Sequence, residues 1–226
     1  MANFFWSANN HKLLKTSIAW TKRFGTPAKF VSFNLPRLRS KTGQVICPYA
    51  GICADICYAD QGRLKLFSAK RVREKNLTLV NKLTPTQLRD AIIDDIINMR
   101  NVTHIRMHDS GDFFSKSYYR TWVNIAQDVK WITFYTYTKS IPFLDWDSHP
   151  DNLRIVQSMG GKRDSEIDIC YPHAKVFPTL QERKRAGYSD GNKSDIPAVL
   201  GYKRIGLVYH GVRGLSEHEI TRLRAA

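Results

Sequence analysis

No stretch of the 226 residues approaches the roughly 18 continuous apolar residues of a membrane-spanning helix, and the first residues lack the compact apolar core of a secretory signal. The expectation is a cytoplasmic protein with no membrane partner. Cysteine is scarce, four residues in all, which excludes a disulfide-stapled scaffold in a chain of this length. Acidic residues are scarce too: 20 Asp plus Glu stand against 35 Lys plus Arg, a net charge of +15. That balance points to an acidic partner. The chain carries neither a phosphate-binding G-x-x-x-x-G-K-[ST] loop nor a G-x-S-x-G elbow. Internal repeats, low-complexity tracts and an obvious linker are also missing, and the polar stretch 187–195 reads as a loop. A single domain over 1–226 is expected, with a basic aromatic N-terminal extension (1–29), a main body (30–215) and a C-terminal helix (216–226).

The charge that is present is uneven. Residues 1–75 hold 14 Lys/Arg and 3 Asp/Glu, residues 76–160 hold nine of each, and residues 161–226 hold 12 and 8. In the N-terminal third, Phe4, Phe5, Trp6, Trp20 and Phe24 interleave with Lys12, Lys15, Lys22 and Arg23. Such a mixture can stack bases and pair phosphates, so nucleic acid is the expected polyanion. The same aromatics can equally be the inward face of a helix.

From residue 68 onward, helix and strand signals alternate. Ser68 is placed to cap a helix running to about Leu83. Thr84-Pro85-Thr86-Gln87 reads as a capping box opening a second helix, with Leu88, Ile92, Ile93, Ile96 and Ile97 as its apolar stripe. A strand over 104–108 follows, then a helix from Ser115 with Tyr118, Trp122, Ile125 and Val129 on one side. Further strands are expected at 131–138, 153–158, 175–177 and 205–209, and Ser216 to Glu219 cap a last helix. Strands alternating with helices argue for an α/β protein with a mostly parallel sheet. Period-two alternation puts His104, Arg106 and His108 on one face of their strand, towards a barrel interior or cleft, and Ile105 with Met107 on the other, towards helices.

Parallel sheets collect function at the carboxyl ends of their strands. Those ends are polar here: His108-Asp109-Ser110-Gly111-Asp112, Tyr137-Thr138-Lys139-Ser140, Gln157-Ser158-Met159-Gly160-Gly161 and Tyr209-His210-Gly211. His108, Asp109 and Asp112 could act as acid and base, or could orient a neighbouring cofactor loop.

The most specific feature is the triplet Cys47, Cys53 and Cys57, spaced C-x5-C-x3-C in a loop with Pro48 and Gly51. So short a loop can wrap three thiolates around one metal centre. Cys170 is the remaining thiol and a candidate fourth ligand, with His173 a second one. Zinc knuckles and ribbons usually bring C-x2-C pairs, which this chain lacks, so a 4Fe-4S cluster is the expected centre and zinc the alternative.

The run from Cys47-Pro48 to Cys57-Tyr58-Ala59, then Gln61-Gly62, Asn76, His108 to Phe113, Trp122 and Tyr135 to Ser140, resembles the phage protein family named after mycobacteriophage gene product eighty-eight. The resemblance spans roughly residues 30–180. That family is similar, more distantly, to the radical S-adenosylmethionine enzymes, which implies a partial (β/α) barrel with its cluster loop after the first strand. By that resemblance Ser110, Gly111 and Asp112 would hold the amino group of S-adenosylmethionine, and Thr138 and Ser158 would line the same cleft. The enzymes characteristically show C-x3-C-x2-C, whereas this loop is C-x5-C-x3-C. A cluster closed by Cys170 could not chelate the cofactor.

Overall fold

The computed structural model describes residues 4–60, 62–209 and 214–226, with the backbone alone at 60 and 63. Its frame is one sheet of eight strands: β1 (Trp6–Ser7), β2 (Lys29–Phe33), β3 (Val102–Met107), β4 (Thr133–Thr138), β5 (Leu153–Ser158), β6 (His173–Phe177), β7 (Ser189–Asp190) and β8 (Arg204–Val208). Their spatial order is β1-β2-β3-β4-β5-β6-β8-β7. The β1–β2 pair is antiparallel and the other six neighbouring pairs are parallel. The expected α/β class and mostly parallel sheet are therefore present. Among the described residues the sheet does not close, and β1 and β7 are its edges.

The helices are α1 (His11–Phe24), α2 (Phe67–Lys82), α3 (Pro85–Asn98), α4 (Lys116–Asp128), α5 (Leu180–Arg185), α6 (Ile196–Val199) and α7 (Glu217–Ala225). None of them is long and apolar enough to cross a membrane. Local chemistry explains several starts. Thr84 and Gln87 satisfy each other's backbone N–H at α3, Ser216 and Glu219 do the same at α7, and Ser115 caps α4. Ser68 does not cap α2: the helix starts one residue earlier, after Leu66, which makes no side-chain cap. The 3-10 turn Gly62–Lys65 feeds the chain straight into that helix, leaving Ser68 inside its first turn.

Both faces of the sheet are covered. On one, Phe33, Ile105, Met107, Phe134 and Ile155 pack against Leu77 of α2, Ile92 and Ile96 of α3, and Trp122 and Ile125 of α4. On the other, Phe30, Tyr135, Val156 and Ile205 meet Leu13 of α1 and Ala198 with Val199 of α6. β2 is buried on both sides from Phe30 to Phe33, which is why it shows no polar–apolar alternation and escapes pattern reading.

The N-terminal aromatics divide accordingly. Phe4 and Trp6 sit edge-on to Phe33, and Trp20 packs against Phe24, Phe30 and the His104 ring. Phe5 stays partly exposed beneath the Lys75 ammonium. These rings are mostly used in packing, so the cationic and aromatic halves of the N-terminal pattern separate.

Candidate functional site

The loop after β2 and the turn after β3 are laced together. The Leu35 N–H donates to the Ser110 carbonyl (3.0 Å), and the Ser110 N–H donates to Asn34 Oδ1 (3.2 Å). Gly111 makes this approach possible: its φ is +89°, and a Cβ there would lie 2.8 Å from that of Leu35. Asp112 then closes the turn. Its carboxylate accepts from the Phe113 N–H (2.8 Å), the Lys139 N–H (2.9 Å) and the Thr138 hydroxyl (2.5 Å). Burial raises the Asp112 pKa, against the pull of those three donors.

Lys139, at the end of β4, reaches across to β5. Its ammonium donates to Ser158 Oγ (2.7 Å), the Ser158 carbonyl (3.1 Å) and the Met159 carbonyl (2.7 Å). The strand ends carrying Asp112, Thr138 and Ser158 thus form one connected edge. The Ser110 hydroxyl, buried there, has no hydrogen-bond partner among the described residues.

The cysteine loop docks on this edge. Ala50 bridges to Gly161, and the Lys162 N–H donates to the Tyr49 carbonyl (2.9 Å). A Cβ on Gly51 would lie 2.6 Å from the Gly160 carbonyl oxygen, so only glycine fits the contact. The three thiols share one electrostatic neighbourhood. Cys57 is pulled down to about 6, first by a hydrogen bond from Cys53, then by the Ala59 N–H and the Arg37 guanidinium, against the effect of burial. Cys53 is pushed up because its thiol donates to Cys57 and because it is buried. Burial, followed by the nearby Asp112 charge, pushes Cys47 up, while the Leu38 N–H (3.3 Å) works in the opposite direction.

Cys170 stands elsewhere. It is exposed on the turn before β6, its N–H held by Asp168 (2.8 Å), and it is not among the principal electrostatic neighbours of the other three thiols. His173 is committed to the Tyr188 hydroxyl (3.2 Å) and the Tyr171 carbonyl (3.1 Å). Among the described residues, no group of three or more His, Cys, Asp or Glu side chains is gathered closely enough to hold a single metal ion.

Beneath the edge lies a buried charge network that local sequence does not announce. Arg106 pairs with Asp109 (3.2 Å) and Asp195 (3.0 Å), and Asp195 also accepts from the Tyr135 hydroxyl (3.1 Å) and pairs with Lys12 (3.1 Å). Burial alone would lower Arg106 and raise Asp195. Their partners outweigh it and keep both charged. Tyr58, next to Cys57, donates its hydroxyl to the Asp109 carbonyl, and the Asn10 amide donates to the Asp109 carboxylate. The network therefore joins the end of the cysteine loop to the start of α1.

His108 departs from the face expected of it. β3 ends at Met107, and His108 has φ +63°, which breaks the alternation and turns the ring to the α4 side. There it bonds the Tyr118 hydroxyl (3.0 Å) and packs edge-on to Phe113 and Trp122. Burial lowers its pKa to about 3. His108 bonds Tyr118 whereas Asp109 pairs with Arg106, so His108 and Asp109 do not form one acid–base set. Pattern reading missed Arg37 and Asp195 altogether; Lys139, Lys12 and Tyr58 had signals, a polar strand end, the cation–aromatic mixture and the cysteine run, but not the roles they take here. His210 and Gly211, read as the last strand end, and Gln61 lie outside the described residues.

The sequence pattern of the family described as "Gene product 88" matches residues 5–219, well beyond the 30–180 over which the resemblance was read. The "Gene 88 protein" of Mycobacterium phage D29 is 26% identical over 160 residues, covering 59% of this chain and 65% of that protein. The chain thus spans somewhat less than two thirds of the length of this curated relative. No solved structure matches. The extent of the family match decides the assignment: the chain belongs to the gene product 88 family of phage proteins.

Proposed function

We propose that the protein binds a 4Fe-4S cluster through Cys47, Cys53 and Cys57, at the carboxyl edge of a radical-S-adenosylmethionine-like partial barrel. The observation that carries this reading is the C-x5-C-x3-C triplet itself, in a loop docked on the Asp112 and Lys139 edge, with Cys53 and Cys57 in mutual contact and Cys47 within electrostatic reach of Cys53. The donor set fits the group. Thiolates are the ligands of iron–sulfur clusters, and the cations Arg37 and Lys139 beside them would offset the negative charge of thiolate-bound iron.

Three ligands from the loop would leave one iron open, since Cys170 sits on a separate exposed turn. Such a cluster supplies an electron and an open coordination site for S-adenosylmethionine. Of the residues expected to line the cofactor, Ser110 has a hydroxyl without a partner among the described residues and would meet its polar groups directly. Asp112 and Thr138 hold the turn against each other, Gly111 admits the close packing on Leu35, and Ser158 anchors Lys139. The excess of 14 Lys/Arg over 3 Asp/Glu in residues 1–75 supports nucleic acid as the partner.

The test is anaerobic purification followed by iron, acid-labile sulfide and visible-spectrum analysis. A brown protein containing iron and sulfide is expected, bleached in Cys53→Ala and retained in Cys170→Ala, with an EPR signal shifted by S-adenosylmethionine. A colourless protein with stoichiometric zinc would replace this reading with a zinc-stabilised nucleic-acid-binding protein.

A further inference from the structure

Beside the cysteine loop, a cleft of about 680 Å³ opens between three separate segments. The segment after β2 contributes Arg37, Arg39 and Lys41, α2 contributes Lys70 and Arg73, and the loop after β5 contributes Lys162. One carboxylate, Glu74, lines the same cleft, and it already accepts the Lys41 N–H (2.9 Å). Cys47 forms part of the wall.

Arg73 is the informative member. It is 4% exposed, yet its guanidinium makes one hydrogen bond, to the Leu64 carbonyl (3.2 Å), and has no ion pair with a carboxylate among the described residues. Burial lowers the Arg73 pKa and the Asp109 charge works against it, but without a direct ion pair. An anion entering the cleft would pair with the guanidinium directly. At the rim, the Phe67 ring is 70% exposed and lies 5.4 Å from the Lys41 ammonium. An exposed ring beside a row of cations is the combination that holds single-stranded nucleic acid, the ring stacking a base and the cations pairing with phosphates.

We propose that this cleft seats the phosphate backbone of a single-stranded nucleic acid, with Arg73 at its floor and Phe67 stacking a base at its rim. The inference deepens the nucleic-acid half of the proposed function by placing it at the cleft; it is independent of the cluster. A lone phosphate would need two or three of these cations, whereas six spread over three segments suit successive phosphates along a strand. The concave shape and the depth of Arg73 suit a strand better than a flat lipid surface.

The test is fluorescence anisotropy of a labelled single-stranded oligonucleotide against the full chain, with and without iron–sulfur reconstitution, over a series of salt concentrations. Lys41→Gln/Lys70→Gln/Lys162→Gln removes three exposed cations of the cleft. Lys116→Gln/Lys130→Gln/Lys193→Gln removes three exposed cations outside the N-terminal third and away from the cleft. The cleft variant should bind about tenfold or more weakly, with the salt slope reduced by about 2, and the other variant should change by less than about threefold. Phe67→Ala should weaken the single strand by about tenfold and leave duplex binding unchanged.

Equal losses in the two triple variants would overturn the cleft while leaving nucleic-acid binding standing. No binding by the wild type at low salt would overturn both. Competition by inorganic phosphate beyond its ionic strength, or binding to phosphatidylserine vesicles in place of the oligonucleotide, would also overturn the proposal.

Discussion

The two faces of β3 make a useful comparison, because consecutive residues of one strand enter opposite environments. Ile105 and Met107 are fully buried in a dry layer with Phe33, Phe134 and Trp122. Arg106, one residue away and 5% exposed, enters a network of two carboxylates, two tyrosine hydroxyls and, through Asp195, the Lys12 ammonium. Burying apolar surface stabilises by roughly 25 cal/mol per Å², whereas burying paired charges roughly breaks even at best. The dry face accounts for stability. The charged face accounts for position, since it ties Tyr58 and the end of the cysteine loop to the sheet and to α1.

The comparison can be broken most forcefully on the dry side. Trp122→Ala should cost about 4 kcal/mol, because the indole is fully buried between Phe33 and Phe134. Urea unfolding would show this as a lower midpoint at unchanged slope. A loss below about 1.5 kcal/mol would mean that this face is not the stabilising one.

Asp195→Asn should cost about 3 kcal/mol by leaving the buried Arg106 and the half-buried Lys12 without their shared counter-charge. Replacing Arg106 and Asp195 together with apolar residues of similar volume should return most of that loss, and no such rescue exists for Trp122. A double variant as unstable as the single one would show that the network stabilises the fold outright.

The most gradual effect is the pH dependence, small within one pH unit of neutrality, and it samples both faces. His104 stacks on Phe30, burial lowering it to about 4, and His108 packs among the α4 aromatics, lowered to about 3. Above pH 6.5 both states are neutral at these positions. As the pH falls below 6.5, the unfolded chain takes up protons that the folded one refuses. Stability should therefore drop by up to about 1.4 kcal/mol per pH unit for each histidine, down towards pH 4. His108→Phe and His104→Phe should each flatten the midpoint-against-pH curve, and equal slopes in wild type and both variants would contradict the burial of the rings.

Much of the frame was legible because it depends on neighbours in sequence. Capping boxes at Thr84 and Ser216, the cap at Ser115 and the strand at 153–158 follow from chemistry within a few residues, and they stand as read. Ser68 failed as a cap because a preceding turn, invisible to cap rules, set the helix start. His108 failed as a cleft residue because alternation holds only while the strand lasts, and a single left-handed residue reverses it. In the candidate site, the cysteine triplet and the Asp112 turn were visible as local patterns. Arg37 beside Cys57 and Lys139 holding Ser158 were not, because each contact joins segments about 20 residues apart.

By itself the sequence determined the charge excess, the α/β alternation and the spacing of three cysteines, all of which are written in composition and short-range period. Tertiary structure decided which of those features meet. It brought the triplet to the Asp112 edge, left Cys170 apart, turned Phe4, Trp6 and Trp20 into packing, and joined Arg106 to Asp195, 89 positions away. The physical reason is that propensity and capping act over a few bonds, whereas ion pairing, desolvation and close glycine contacts act through space and exist only once the sheet has ordered its strands.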